Sequence, residues 1–391
     1  MLETIYGHQS LKNQISQLIQ QRTLPSGLLF VGSRFSGRLT TSIEIARIVS
    51  CMETSARDCL CENCRNSSIG IHPYTIMLLS RDFTKEILAA YDSYRKKKIP
   101  ETGRLFVTQV RKLISRYRTD LHEVSTAAAK SLMKTAFEID ELLMVFQEEK
   151  SGVGTLKQAG EIVKKSKQLA AAVKSGNIPV SQIRKIATWI YSAPENQVKC
   201  IIIEGLEGIT DASKNALLKI LEEPPKNTYF FLIAESIGRI PQTILSRVRR
   251  YSFLPLDEKS KNDVIQEIYL DDPELYDSLK TFFMTKSGVN CRQLHDDAET
   301  FLLSAMNRSE ISYKDFQLLL SKIHTGKLFS EFISEIVVVL EQEVEDRLIS
   351  RENAAGILRD IKMVSTRQTT FNQHSALALE TLYNTIRIGL S

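Results

Sequence analysis

Three apolar runs decide what this chain can fold into: "LLFV" at 28–31, "VKCIIIEGLEGIT" at 198–210 and "TYFFLIAES" at 228–236. Each is hydrophobic at successive rather than alternate positions, and such a strand is stable only when helices cover both its faces. Helical spacing fills the intervals. Leu11, Ile15, Leu18 and Ile19 precede the first run, with Pro25 as punctuation, and Ile43, Ile45, Ala46 and Ile48 follow it. The pattern predicts an α/β fold around a parallel sheet. With 391 residues, 43% hydrophobic and 25% charged, the chain has material for two or three domains. No apolar run approaches the roughly 18 residues of a membrane span. "MLETIYGHQS" lacks the basic and apolar regions of a signal peptide, so no membrane partner is expected and the cytoplasm is the default location.

Between the first strand and its helix lies "LLFVGSRFSGRLTTS", residues 28–42. A phosphate-binding loop reads GxxxxGK[ST]: backbone N–H groups curl around phosphate oxygens, the Lys neutralises β/γ charge, and the hydroxyl ligates magnesium. Gly32 and Gly37 keep the frame, but Arg38 stands at the Lys position and Leu39 at the hydroxyl position. An isobutyl group cannot ligate magnesium. Thr40 and Thr41 carry hydroxyls one register later, turned by about 100° around the helix. Gly32, Gly37, Arg38 and Thr40 thus form a degenerate nucleotide loop in which ATP binding is doubtful. Taken alone, the stretch reads better as a plain glycine-containing strand-to-helix turn.

Four of six cysteines cluster in "CMETSARDCLCENC": Cys51, Cys59, Cys61 and Cys64. In a reducing compartment this argues for metal rather than disulfides, since four thiolates suit the tetrahedral site of structural zinc. Cys200 and Cys291 stand alone and read as core residues. Charge is uneven too. Residues 82–175 hold 18 Lys and Arg against 12 Asp and Glu, while the remainder has 33 against 34. Phe106, Val110, Leu113, Tyr117, Leu121 and Val124 recur at helical steps, and one helix over 104–149 would be on the order of 70 Å long. With "SGVG" at 151–154 as a turn and a return helix up to "KSGN", the segment reads as a protruding helical hairpin. Its basic part, 93–134, interleaved with Tyr94, Phe106 and Tyr117, offers either a track for a phosphate backbone or a solvated face whose aromatics pack in the hairpin seam.

Beyond Pro255 the pattern is wholly helical, with "FISEIVVVLEQEVEDRLIS" at 332–350 as a long amphipathic helix. The stretch "LEGITDASKNALLKILEEPPKNTYFFLIAESIGRIPQTILSRVRR", 206–250, resembles the bacterial DNA polymerase III clamp-loader subunits, the delta-prime and gamma/tau proteins. Ala212 through Pro225 and Thr243 through Val248 match almost residue for residue. "YGHQSLKNQISQLIQQRTLPSGLLFVG" and the four-cysteine knuckle extend the resemblance to about 160 residues, far beyond a short motif.

The resemblance implies an α/β AAA+ (P-loop NTPase-like) core at 1–254, with the zinc knuckle at 51–64; the helical insertion at about 82–175 within it departs from the family, which passes this point in a few dozen residues. A small helical lid at 255–305 and a helical collar for oligomerisation at 306–391 would follow. The implied partners are gamma/tau-type ATPase subunits, a delta subunit, the sliding clamp, and the primed DNA around which that ring is closed. Arg247 matches the family's arginine finger, a fixed positive charge placed at a neighbour's ATP site where the γ-phosphoryl group gathers negative charge. Active members end their second strand in Asp-Glu, whereas here it ends in Glu204 and Gly205. Arg38, Leu39 and Gly205 depart in the same direction. The resemblance is therefore to the delta-prime branch, a subunit of the holoenzyme without its own ATPase that donates Arg247 in trans. Val248 replaces the cysteine that usually follows the finger, and the cysteine gaps of seven, one and two depart from the family's eight, two and two. Two other readings remain: an active gamma/tau-like ATPase using Arg38 and Thr40, and a DNA-binding adaptor working through the basic hairpin.

Overall fold

The computed structural model describes residues 2–121, 127–148, 154–172, 178–371 and 373–389. The chain divides into two compact units, Met1–Ser287 and Gly288–Ser391. In the first, α1 (Gln9–Gln20) leads to β1 (Gly27–Gly32), α2 (Arg38–Ser50), α3 (Glu62–Ser68) and β2 (Thr75–Leu78). Next come α4 (Thr84–Lys96), α5 (Pro100–Ile114), 3₁₀ turns at Ser115–Tyr117 and Thr119–Leu121, α6 (Ala127–Glu148), α7 (Leu156–Ala171) and α8 (Val180–Ser192). The sheet is completed by β3 (Lys199–Glu204), α9 (Asp211–Glu222), β4 (Thr228–Ala234), α10 (Gln242–Leu245) and β5 (Arg249–Phe253), after which α11 (Glu258–Asp263) and α12 (Leu279–Lys286) end the unit.

Among the described residues five strands form one parallel sheet, in the order β2-β3-β4-β1-β5, with Ile76 beside Ile201, Ile202 beside Phe231 and Leu29 beside Leu232. Alternate residues serve opposite faces. Leu28, Phe30, Ile202, Phe231 and Ile233 share one core with α1, α2 and α4 to α7, and Leu29, Ile201, Ile203, Phe230 and Leu232 share the other with α8 and α9. This two-sided coverage is what the continuous apolar runs demand, and it is the α/β AAA+ core that the resemblance implied. β2 and β5 lie outside the three expected strands. The first has four residues, and the second begins with two exposed arginines at the sheet edge.

The single helix over 104–149 does not form. α5 stops at Ile114, the chain turns through two 3₁₀ segments, and α6 starts afresh at Ala127. Apolar spacing runs on through Tyr117 and Leu121 because both still pack against core residues, so periodicity alone does not reveal the break. Nor do these helices stand apart: Phe106, Val110, Leu143, Phe146 and Ile162 belong to the same core as Phe30 and Phe231. α7 begins with a capping box in which Thr155 Oγ1 accepts from the Gln158 N–H at 3.2 Å. It returns along α6, where Lys165 Nζ lies 2.6 Å from Glu138. The turns expected at 151–154 and 174–177 lie outside the described residues except for Gly154, as does Val124. Tyr94 and Phe106 are fully buried and stacked, ring centroids 6.3 Å apart. Those two aromatics pack the helical seam and are closed to a phosphate backbone.

The second unit is all-helical: α13 (Cys291–Ala305), α14 (Tyr313–Thr325), α15 (Phe329–Glu345), α16 (Arg351–Phe371) and α17 (Ser375–Gly389). Phe301 meets Phe332 at 5.5 Å and Tyr383 at 5.5 Å in its interior. Among the described residues, no helix is long and apolar enough to cross a membrane.

Candidate functional sites

The glycine loop joins β1 to the N-terminus of α2. Gly37 has φ 87, a left-handed conformation that favours glycine, and nothing lies within 4 Å of where its Cβ would stand. With the helix N-terminus behind it, this is still the frame of an anion cradle. Its side chains do other work. Arg38 is buried and donates to the Ala234 carbonyl at the end of β4, and burial lowers its pKa. Leu39 is buried, Thr40 is exposed, and Thr41 donates to the Gly37 carbonyl at 2.9 Å. From the far side, His8 Nε2 sits 2.8 Å from the Ser36 carbonyl, a hydrogen bond in the Nε2–H tautomer, with its ring against Phe253.

At the end of β3 the acid expected to ligate magnesium is already engaged. Arg81 Nε lies 3.1 Å from both oxygens of Glu204, Arg81 Nη1 pairs with Glu86 on α4, and the guanidinium stacks 4.3 Å above Phe83. Burial alone would lower the Arg81 pKa, but the two carboxylates raise it above its ordinary value. Lys112 on α5 lies within reach of this charge, and burial, aided by Arg81, pushes it down to about 8. Gly205 has φ 81, and a Cβ there would lie 2.3 Å from Ser80 Oγ. Any side chain, an acid included, would be strained by this φ and would have to displace the Ser80 side chain. Arg81, Glu86 and Lys112 were not legible as site residues. Their only signal is topological, since β2 delivers Arg81 beside β3.

Arg247 follows α10 and is about one third exposed. It reaches Glu222 at 2.7 Å, the Thr243 carbonyl at 2.8 Å and Ser246 Oγ at 3.2 Å. Glu222 lies within the stretch that carries the resemblance, but its contact with Arg247, 25 positions away, had no sequence signal.

The four cysteines converge from three places: Cys51 caps the end of α2, Cys59 lies on the following loop, and Cys61 and Cys64 begin α3. Their sulfurs all fall within 4.8 Å of one another, with Cys51 Sγ 3.6 Å from Cys59 and 3.8 Å from Cys61. A tetrahedron with Zn–S near 2.3 Å has edges of about 3.8 Å, so the donor set fits zinc. Burial opposes ionisation of Cys51, but the backbone N–H groups of Glu53 and Ser55, at 3.4 and 3.2 Å, bring it down to about 6. Burial raises the Cys64 thiol. Cys200 is fully buried, whereas Cys291 is half-buried.

Over 76 residues the chain is 42% identical to DNA polymerase III subunit delta' of Haemophilus influenzae, covering 19% of this chain and 23% of that protein. It is 40% identical to subunit delta' of Bacillus subtilis over 73 residues, 19% of this chain and 22% of the relative. Subunit tau of Bacillus subtilis is 38% identical over 80 residues, 20% of this chain and 14% of the relative. These matches span less than a quarter of each relative's length. A solved structure, a DNA polymerase III gamma subunit-related protein from Thermotoga maritima, aligns with 56% of this chain and 82% of its own at 20% identity and a TM-score of 0.32. Residues 7–257 match the profile of the family described as DNA polymerase III, delta subunit. As that match covers well over half of its length, the chain belongs to this family of clamp-loader subunits.

Proposed function

We propose that this protein is a delta-prime-like subunit of the DNA polymerase III clamp loader, an AAA+ subunit without ATPase activity of its own. It lends Arg247 to the ATP site of a neighbouring gamma/tau-type subunit while the loader, with its delta subunit, places the sliding clamp on primed DNA. The observation that carries the reading is the engagement of Glu204 by Arg81. A carboxylate already paired with a guanidinium is a poor ligand for magnesium, which demands near-ideal oxygen geometry. The adjoining Gly205 has no group to orient water. The active gamma/tau-like alternative needs Arg38 at the phosphates, and Arg38 is committed to the Ala234 carbonyl instead. Within this reading, residues 255–305 act as the lid, 306–391 act as the collar, and the protein works in the cytoplasm. Cys51, Cys59, Cys61 and Cys64 hold a structural zinc, closed by four thiolates with no open position, that ties the end of α2 to α3. The test is magnesium-dependent ATP turnover by the isolated chain. None above background is expected, and sustained turnover would overturn the reading in favour of the active alternative.

A further inference from the structure

Zinc bound by four thiolates carries a net double negative charge. Such a charge in a partly buried site needs donors and a cation close by. Arg47 lies one turn before Cys51 on α2 and is only 9% exposed. A guanidinium has five N–H donors, and each of those of Arg47 has an acceptor. Nε donates to Glu44 Oε2 at 3.0 Å, and Nη2 donates to Glu44 Oε1 at 2.8 Å and to the Ser55 carbonyl at 3.2 Å. Nη1 donates to the Ala56 carbonyl at 3.1 Å and to Cys64 Sγ at 3.2 Å.

This arrangement does two things at once. It places a permanent positive charge against one of the four sulfurs, and it grips by two carbonyls the loop that carries the chain from Cys51 to Cys59. Gripping that loop also aligns the Glu53 and Ser55 N–H groups that donate to Cys51 Sγ. Glu44 holds the fork bidentately from behind, so the guanidinium cannot swing away to solvent. We infer that Arg47 is the positioning residue of the cysteine site: it preorganises the thiolates for zinc by its donor to Cys64 Sγ and its grip on the Cys51–Cys59 loop, with its charge shared between Glu44 and the cluster. The inference rests on the zinc reading above. A lysine would keep the charge but not the planar fork that meets a carboxylate, two carbonyls and a sulfur together.

The experiment uses the full chain, stripped of metal and reloaded. Zinc affinity is read by competition with a chromophoric chelator, and cobalt(II) reports the geometry of the thiolate site through its absorption. Arg47→Met is expected to bind zinc about 10- to 100-fold more weakly than the parent, with an altered cobalt spectrum. A folded Arg47→Met with parental zinc affinity would overturn the inference. Should that variant fail to fold, Arg47→Lys decides: about 10-fold weaker binding supports the inference, and parental affinity overturns it. If the parent itself takes up neither zinc nor cobalt, the zinc reading falls and this inference with it. Zinc uptake that is indifferent to Arg47 removes this inference alone.

Discussion

Arg247 is held at the surface by its own chain, through Glu222 and the Thr243 carbonyl. An exposed ion pair of this kind is worth about 0–1 kcal/mol, enough to orient the fork and too little to withhold it from a phosphate. In its proposed role, Arg247→Ala should fold as the parent does and cut the neighbour's DNA-stimulated ATP turnover in a reconstituted loader by about a thousandfold or more. Unchanged turnover would remove Arg247 from the reaction. At this scale the sequence was informative where a residue replaces a known part: Arg38 and Leu39 stand at positions whose chemistry is fixed by the phosphate-loop pattern, and Gly205 stands where active members of the resembling family carry an acid. It was silent on Arg81, whose partner Glu204 is 123 positions away. It was equally silent on Arg47: its pairing with Glu44 is an ordinary i,i+3 contact within α2, and its three other contacts depend on how the cysteine loop folds back.

α4 shows what a single element adds. Near its start, Glu86 joins the Arg81–Glu204 pair, and two turns later Asp92, Ser93 and Lys96 face the segment that contains α12. Lys286 Nζ lies 2.8 Å from Asp92 and pairs with Asp271, Lys96 reaches Asp271 at 3.0 Å, and Ser93 Oγ donates to the Tyr269 carbonyl at 2.6 Å. Burial would raise the Asp92 carboxyl, but Lys286, Arg95 and Lys96 outweigh it and bring it down to about 2. Lys286→Met removes one of the two lysines that Asp92 and Asp271 share, leaving Lys96 against both, and should cost about 2 kcal/mol at pH 7 in denaturant melts. The folded value for Asp92 lies below the unfolded value of about 3.9, so its contribution is complete above that pH and is lost as pH falls toward 2. The gap between parent and variant should therefore narrow across that window. A gap that stays constant would mean that the charge cluster is not its source. The three central strands, β1, β3 and β4, were legible because burial on both faces leaves an unbroken apolar run, whereas the edge strands β2 and β5 were not. The fastening of α4 was not legible either, because Asp92, Lys96, Asp271 and Lys286 are scattered charges with no periodic signal until packing brings them together.

For the whole molecule, the uniform helical pattern after Pro255 hides where one core ends and another begins. Tyr269, Phe282 and Phe283 join the core of the sheet, whereas Phe301, Phe316, Phe332 and Tyr383 pack among themselves. The compact units accordingly divide at 287–288, inside the segment expected to form the lid. Separate cores predict separate unfolding. The chain's one tryptophan, Trp189 on α8, packs against the first unit's core, so its fluorescence follows that unit alone, while far-UV circular dichroism follows helices in both. All four clustered cysteines also lie in the first unit. Metal that binds the folded state and not the unfolded one stabilises only the unit that holds it. Stripping zinc with a chelator should therefore lower the melting temperature seen by fluorescence and leave a second dichroism transition where it was. A single transition shared by both signals, or an equal shift in both on chelation, would mean that the two units unfold as one body and that zinc stabilises all of it.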